Sequence, residues 1–271
     1  MEYNAKLLEE KKQLYLKKRK DVEKNIYNLQ SYENDFLVRF TYDTTAIEGN
    51  TLTMEETRKL LLYERTPEGK TLREIYEQIN NKKAFSYITQ EIKRGRDLDE
   101  EIICQIHKLL LENIFPGGLY RQNNVYIQGA KHECPDYHEL PGLLRDFYKE
   151  LKNKNDFNTM PESKISTFEA ACWVHAEFVG IHPYRDGNGR VSRMLMNYQL
   201  MKHDYLPVNI PFDKRMDYYK ALDEYHCTGN MTLLVSFVYA LEIKELKLLI
   251  TFQKEFRKSK KLKFLINLLF V

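Results

Sequence analysis

The chain of 271 residues is long enough to bury one large hydrophobic core or two smaller ones. Hydrophobic residues make up 43% of the sequence and aromatic residues 13%, which is typical of a globular protein and excludes a disordered one. The 42 basic and 39 acidic residues leave a net charge of +3, so composition gives no electrostatic sign of a nucleic-acid partner.

Cysteine spacing and apolar runs indicate the compartment. The four cysteines are widely spaced and form no CxxC pair, so neither zinc binding nor a disulfide framework is indicated. The N-terminus is charged and carries no apolar signal segment. No run approaches the length of about 18 apolar residues that a membrane-spanning helix needs. We therefore expect a cytoplasmic protein with no membrane partner.

Helical spacing of apolar residues covers most of the chain and predicts an all-α fold. Residues 1–31 contain no Gly or Pro and predict one long, solvated helix, and residues 34–50 predict a second. Thr53, with Glu56 three residues later, predicts a capping box at the start of the next helix. Further helices are predicted at 71–93, 98–113, 138–152, 162–180, 213–227 and 231 to about 257. We divide the chain into an N-terminal helix (1–33), a helical region (34–95), a core (96–230) and a C-terminal helical segment (231–271).

The most informative stretch is residues 182–193, His-Pro-Tyr-Arg-Asp-Gly-Asn-Gly-Arg-Val-Ser-Arg. Its proline and glycines interrupt a helix, whereas the apolar spacing on both sides is helical. The stretch therefore predicts a loop that ends at the N-terminus of a second helix. Such a terminus offers unpaired N–H groups and a partial positive charge, which favour phosphate.

Several residues of this loop suit the phosphates of a nucleotide. Gly187 and Gly189 let the backbone come close to an anion. Asn188 can donate to a phosphate oxygen. Arg190 and Arg193 are three residues apart on one side of the first helical turn, where they can clamp the outer phosphates.

Two further residues supply chemistry. Asp186 is a hard oxygen ligand, suited to a Mg²⁺ ion that also binds phosphates. His182 can accept a proton from an incoming hydroxyl. A Gly-Asn-Gly turn or a single histidine is usually only structural, but this combination at fixed offsets is much rarer by chance. The residues therefore predict a nucleoside triphosphate site with a general base beside it.

This loop resembles the signature of the Fic family, HPFx[D/E]GNGRxxR, with Tyr184 in place of the usual Phe. The resemblance covers roughly residues 35–250. It implies a Fic-type helical bundle that transfers a nucleoside monophosphate, usually AMP from ATP with Mg²⁺, to a protein hydroxyl.

A second motif lies before the core. Glu48 is predicted in the last turn of a helix, where it opposes the helix dipole, and Gly49 is predicted as the C-cap. Spacing alone favours a surface glutamate. However, Thr44, Glu48 and Gly49 resemble the Fic inhibitory motif [S/T]xxxE[G/N], in the class with an N-terminal inhibitory helix. The resemblance implies that Glu48 pairs with Arg193 and keeps ATP in a non-productive pose.

A third motif breaks the helical rhythm at residues 114–136. Alternation over a short span gives a weak strand signal, which alone is compatible with a plain loop. The segment resembles the Fic flap, GxYRxxxVxIxG, a small β-hairpin over the active site that pairs with an extended target segment. The docking residues implied are Val125, Tyr126, Ile127, Gln128 and Gly129.

Other residues have weaker assignments. Alignment with the family makes Tyr218 a candidate lining residue of the adenine pocket. His226 stands where family members often have Asn, which leaves the base preference open. His107 is expected to be a packed or solvent-edge histidine, and Trp173 a core residue.

The sequence therefore predicts a protein adenylyltransferase that modifies a Ser, Thr or Tyr hydroxyl of a target protein, and itself. Removal of AMP, with Glu48 aligning a water, is the first alternative. A catalytically silent nucleotide-sensing or toxin-neutralising module is the second. A DNA-binding regulator is disfavoured by the near-balanced charge. The target and the oligomeric state, a homo-oligomer included, are left open.

Overall fold

A computed structural model describes residues 26–126, 133–155 and 166–249, together with residues 4, 6–10, 12–14 and 16. Within these residues all regular structure is helical, as the sequence predicts. Helical residues 6–10 and 12–14 precede the first long helix. The helices are α1 (Ile26–Ala46), α2 (Met54–Tyr63), α3 (Leu72–Lys93), α4 (Glu100–Leu110), α5 (Leu140–Asn155), α6 (Thr167–Ile181), α7 (Asn188–Lys202), α8 (Arg215–Thr228) and α9 (residues 232–249). Short 3₁₀ turns occupy Tyr137–Glu139 and Phe212–Lys214.

The predicted break between a helix over 1–31 and another over 34–50 is wrong, because α1 runs unbroken from Ile26 to Ala46. No Gly or Pro interrupts this stretch. Tyr32, Phe36 and Phe40 recur at every fourth residue and are all buried. One continuous apolar stripe therefore holds α1 against the core.

Local capping signals located the starts of several helices. The predicted capping box at Thr53 is confirmed, and equivalent boxes begin α3 at Thr71 and α6 at Ser166. The predicted helix over 71–93 matches α3 within one residue. The helix predicted over 98–113 is shorter at both ends. Asp99 caps the N-terminus of α4 by accepting a hydrogen bond from the N–H of Ile102, and the helix ends at Leu110.

Helices α6 and α7 lie at the centre of the molecule and separate two hydrophobic clusters. Their buried residues point to both sides, since Phe178 and Leu195 join one cluster while Ala176 and Met196 join the other. A helix buried all round must lie inside the fold. Trp173 is partly buried at the edge of the core, where it stacks on Phe147. The loop between α6 and α7 is thereby fixed at both ends by core helices.

The predicted hairpin flap is not seen in the described residues. No strand occurs from residue 111 to Tyr126, whose side chain is 93% exposed, and Val125 is half-buried. Ile127, Gln128 and Gly129 lie outside the described residues. No helix in the part of the chain that the structure describes has the length and apolar character to span a membrane.

Candidate active site

His182 is positioned by the end of α6. It adopts a left-handed conformation (φ 51°) as the C-cap, and its N–H donates to the carbonyl of Phe178. Its Nδ1 lies 3.1 Å from the carbonyl oxygen of Val179. Since a carbonyl only accepts, we assign the proton to Nδ1, which leaves Nε2 as an acceptor. Burial lowers the pKa of His182, so the imidazole is neutral and can act as a base at neutral pH.

Arg121 holds the backbone of His182 in place. Its Nε donates to the His182 carbonyl at 2.9 Å, and its own N–H donates to the Pro183 carbonyl at 2.9 Å. Nη2 donates to the carbonyl of Pro135 at 2.6 Å. Arg121 is the arginine of the flap motif GxYRxxxVxIxG. The motif marks Arg121 in the sequence, but it does not indicate that Arg121 bonds the carbonyls of His182 and Pro183.

His107 supports the same loop from α4. Its ring stacks on Tyr184 with centroids 3.6 Å apart. Nδ1 accepts a hydrogen bond from the N–H of Gly118 at 2.7 Å, so Nε2 carries the proton and donates to the Asp186 carbonyl at 3.0 Å. Burial lowers the pKa of His107 to about 4. Of the two expectations for His107, a packed or a solvent-edge histidine, the structure shows the packed one, whereas its contact with the loop was not predicted.

Asn188 closes the loop on itself. Its Oδ1 accepts from the N–H of Tyr184 at 2.9 Å, and its Nδ2 donates to the carbonyl of Tyr184 at 2.7 Å. Gly187 precedes α7 with a φ of 82°, which favours glycine. The side chain of Asn188 therefore shapes the loop, and its contact with phosphate stays a prediction.

Asp186 lies between two arginines. Its Oδ2 is 2.6 Å from Nη2 of Arg73, and its Oδ1 is 3.1 Å from Nη2 of Arg190. The N–H of Gly187 also donates to Oδ1. Burial opposes ionisation of this carboxyl, but Arg190 and Arg73 outweigh it and hold its pKa below the usual value. The group is therefore a carboxylate at neutral pH.

Arg190 is almost fully buried, yet its hydrogen-bonding capacity is not filled. Within the described residues, Nε and Nη1 have no hydrogen-bond partner. Nη1 lies 3.6 Å from Oε1 of Glu77, an ion pair without a hydrogen bond. Buried donors without a partner are costly, and they point to a ligand that supplies acceptors. The unpaired N–H groups at the start of α7 lie beside this guanidinium.

Arg193 is held by the end of α1. Its Nε donates to Oγ1 of Thr44 at 2.6 Å, and its Nη2 donates to the Thr44 carbonyl at 2.9 Å. The same Nη2 lies 2.6 Å from Oε1 of Glu48. Burial disfavours the charge on Arg193, but the Glu48 carboxylate raises its pKa, so the ion pair persists at neutral pH.

Glu48 lies past the end of α1, not within its last turn as predicted. The helix ends at Ala46, and the N–H of Asn50 turns back to the carbonyl of Thr45 at 3.0 Å. Gly49 has the expected positive φ, 94°. The turn carries the Glu48 carboxylate over α7, where a Cβ on Gly189 would lie only 2.4 Å from Oε1. Gly189 therefore leaves room for this carboxylate.

Helix α3 anchors the turn that carries Glu48 through buried polar contacts. Asn50 donates from Nδ2 to Oε2 of Glu77 at 2.9 Å. Gln78 donates from Nε2 to Oγ1 of Thr45 at 2.8 Å and to Oδ1 of Asn50 at 3.2 Å. The position of Glu48 thus depends on Asn50 and Gln78, to which no function was assigned from the sequence. The only sequence feature that pointed to this anchor was Asn50, which directly follows the Glu48-Gly49 pair.

Two tyrosines of α8 face this region differently. Tyr218 is buried, and its hydroxyl lies 3.0 Å from Nε2 of His175. Burial raises its pKa to about 12 against the opposing effect of Arg193. Tyr219 is 38% exposed and its ring lies 5.5 Å from that of Tyr218. His226 is half-buried, with Nε2 2.9 Å from the Ala176 carbonyl.

A neutral histidine, a carboxylate, two arginines and a helix N-terminus thus converge on one loop of a helical bundle, a combination whose chemistry suits a phosphate and a proton acceptor. Residues 97–200 match the family model described as "Fic/DOC family". Over 183 residues the chain is 34% identical to "Protein adenylyltransferase Fic" of Drosophila ananassae, an alignment that covers 67% of this chain and 35% of that protein. The protein of the same name from Drosophila virilis is 31% identical over 221 residues, which cover 79% of this chain and 44% of that protein.

Solved structures show the same fold. A Fic domain containing signaling protein from Bacteroides thetaiotaomicron aligns with a TM-score of 0.80 at 22% identity, over 90% of this chain and 97% of that one. Fic-1 from C. elegans aligns with a TM-score of 0.73 at 24% identity, over 92% of this chain and 72% of that one. The chain belongs to the Fic family. It spans less than half the length of the two curated relatives described above.

Proposed function

We propose that this chain is a protein adenylyltransferase that moves AMP from ATP to a Ser, Thr or Tyr hydroxyl of a target protein, and to itself. The single observation that carries the proposal is that one short loop begins at a neutral His182, with Nε2 available, and leads into the first turn of α7, where the buried guanidinium of Arg190 has unfilled donors. The two curated relatives described above, 34% and 31% identical, are named protein adenylyltransferases. A base next to a phosphate site is the arrangement that such a transfer needs.

In the proposed reaction, the target hydroxyl oxygen attacks the α-phosphorus and its proton passes to Nε2 of His182. The bond from the α-phosphorus to the bridging oxygen of the β-phosphate breaks, and pyrophosphate leaves. Arg121 supports the step by fixing the His182 carbonyl. Phosphoryl-type transfer depends mainly on position and charge stabilisation, and this loop is fixed by core helices on both sides.

The phosphates would lie along the start of α7. Arg190 would bind the β-phosphate through its unfilled donors, and Arg193 the γ-phosphate once it is released from Glu48. The backbone of Gly187 and Gly189 would receive phosphate oxygens. Asp186 is a single ionised carboxylate beside this region, a donor that fits Mg²⁺ bound through one carboxylate and substrate phosphates. When bound, the metal would neutralise phosphate charge.

Glu48 would keep the enzyme inactive. Its carboxylate pairs with the guanidinium of Arg193, which the γ-phosphate would need, and it lies against Gly189. The buried contacts of Asn50 and Gln78 would hold it there. Because the Glu48 side chain is 34% exposed and the Arg193 side chain only 2%, the pair is screened less than an ion pair between two fully exposed side chains.

The target would dock beside the loop. Val125, Tyr126, Ile127, Gln128 and Gly129 are proposed to form the hairpin flap whose edge pairs with an extended target segment. A cavity of about 520 Å³ lies at the base of this segment, lined in part by Tyr120, Arg121 and Tyr137. The adenine is proposed to lie near Tyr218 and the more exposed Tyr219.

A second candidate function is removal of AMP from a modified target. Within the described residues Oε2 of Glu48 has no hydrogen-bond partner, and the Glu48 charge acts on His182. A carboxylate with one oxygen available beside a histidine can align a water. Release of AMP from a labelled target without added pyrophosphate would identify this activity.

The test of the proposed function is an intact-mass experiment. The Glu48→Gly protein is incubated with each nucleoside triphosphate and Mg²⁺, and we expect a gain of one AMP unit with ATP. The matched control is Glu48→Gly/His182→Ala, which should lose the gain, since a general base contributes about 10²–10⁴-fold. If the double variant is labelled as fast as Glu48→Gly, His182 is not the base and the proposed mechanism fails.

A further inference from the structure

Arg73 forms an ion pair with Oδ2 of Asp186. It belongs to the first turn of α3, which is far from the signature loop in sequence. Its Nη2 lies 2.6 Å from Oδ2 of Asp186, a charge-assisted hydrogen bond of near-ideal length. Arg73 is thus a third arginine at the site, in addition to Arg190 and Arg193.

The two arginines that contact Asp186 differ in mobility. The Arg190 side chain is 2% exposed and cannot leave without opening the core, whereas the Arg73 side chain is 57% exposed. Arg73 is also tied to its own helix through Glu77, whose Oε1 accepts from Nε at 3.2 Å. The guanidinium can therefore leave Asp186 by side-chain rotation while α3 stays in place.

The position of Arg73 conflicts with a metal at the same carboxylate. Mg²⁺ must coordinate a carboxylate oxygen at about 2.0–2.1 Å. Oδ1 already accepts from Gly187 and Arg190, so Oδ2 is the oxygen that faces outward, and Arg73 covers it. A guanidinium and a Mg²⁺ ion at this one oxygen would place two positive charges within a few ångströms of each other, so each weakens the binding of the other.

We propose that Arg73 competes with the metal for Asp186 and so sets the metal requirement of nucleotide binding. Without metal, Arg73 neutralises Asp186 and keeps the loop in shape. When the metal-loaded nucleotide enters, Arg73 rotates away from Oδ2. This inference rests on the proposed function, because the metal is the one expected with ATP.

The magnitude follows from the exposure of Arg73. An exposed ion pair contributes about 0.2–1 kcal/mol, so removal of the competitor should tighten binding of the metal-loaded nucleotide by about 1.5- to 5-fold. Binding without metal should not tighten, because Asp186 then loses its neutralising partner and repels phosphate. The ratio of the two affinities is therefore the sensitive quantity.

The experiment measures the affinity for α,β-methylene ATP by calorimetry, with Mg²⁺ and with EDTA, in the Glu48→Gly background. The analogue cannot transfer AMP, so binding is read without turnover. We expect Arg73→Gln to tighten binding in Mg²⁺ by about 1.5- to 5-fold, and Arg73→Lys to fall between. The matched control is Arg94→Gln. Arg94 is an exposed arginine just beyond the C-terminus of α3, at the end opposite Arg73, and it pairs with Glu91.

Unchanged or weaker binding of Arg73→Gln in Mg²⁺ would overturn the competition, and weaker binding would make Arg73 a phosphate ligand. Asp186→Asn separates this failure from that of the proposed function. If Asp186→Asn retains the full effect of Mg²⁺, the metal does not bind at Asp186. If Asp186→Asn loses the effect of Mg²⁺ while Arg73→Gln binds the analogue in Mg²⁺ as its Glu48→Gly parent does, the metal binds at Asp186 and only the competition with Arg73 is excluded. If the Glu48→Gly parent binds no analogue in either condition, the proposed function itself fails.

Discussion

Oε1 of Glu48 lies 2.6 Å from Nη2 of Arg193, and the same guanidinium is held by both the hydroxyl and the carbonyl of Thr44. The end of one helix thus takes up most of the hydrogen-bonding capacity of an arginine on another. A phosphate that needs Arg193 must first displace Glu48. This relationship connects the nucleotide site with its proposed inhibition.

Replacement of Glu48 should release the site. Glu48→Gly removes the carboxylate from Arg193 and Gly189, so we expect at least about a tenfold gain in self-labelling from α-³²P-ATP, equal to about 1.4 kcal/mol of lost inhibition. Glu48→Gln is the matched variant, since it keeps the size and removes the charge. Equal labelling of wild type and Glu48→Gly would exclude an inhibitory role.

The anchor on α3 can be tested without altering any residue at the phosphates. Asn50→Ala removes the bonds to Glu77 and Gln78, which costs about 1–3 kcal/mol of stability. We expect labelling to rise several-fold, because the Glu48 turn loses its support. Asn80→Ala is the control, since Asn80 is a buried α3 residue that bonds the Leu110 and Glu112 carbonyls instead. A gain in both variants would mean that general loosening, not this anchor, controls activity.

Arg121 should affect chemistry more than binding. Arg121→Ala frees the carbonyl of His182 from the guanidinium and cuts its tie to the Pro135 carbonyl, so the base loses its fixed position. We expect kcat in the Glu48→Gly background to fall by about 10- to 100-fold, while the affinity for the methylene analogue changes less than twofold. Arg121→Lys should recover little, because a single ammonium cannot reproduce the fork of a guanidinium. A fall in affinity equal to the fall in rate would indicate a direct nucleotide contact.

His107 should make stability depend on pH. Its folded pKa of about 4 lies below the unfolded value of about 6.5, so only the unfolded chain binds a proton between these values. The stability that His107 contributes is therefore complete above about pH 6.5 and falls by about 3 kcal/mol toward pH 4. Urea unfolding from pH 7.5 to 4.5 measures this loss. The slope should be smaller in His107→Gln, and an identical slope would contradict the assignment.

Local features of the structure were predictable from sequence. The capping box at Thr53, the extent of α3 and the positive φ of Gly49 depend on neighbouring residues, and the sequence contains them in full. The loop between α6 and α7 was predicted for the same reason. The break near residue 32 was wrong because polar residues there do not interrupt a helix whose aromatic stripe is buried.

Contacts between distant segments could not be predicted. Nothing in the sequence around Arg73 indicates that its side chain reaches Asp186, or that His107 bonds the Asp186 carbonyl. These contacts depend on how α3 and α4 pack against α7, which local periodicity does not specify. The pairing of Glu48 with Arg193 was expected only through the family resemblance, since spacing alone favoured a surface glutamate.

The most direct test of the central claim is a crystal structure of the Glu48→Gly protein with Mg²⁺ and α,β-methylene ATP. We predict that the α-phosphorus faces Nε2 of His182 and that the γ-phosphate contacts Arg193. Electron density for the nucleotide at any other place, or an α-phosphate turned away from His182, would contradict the proposed site.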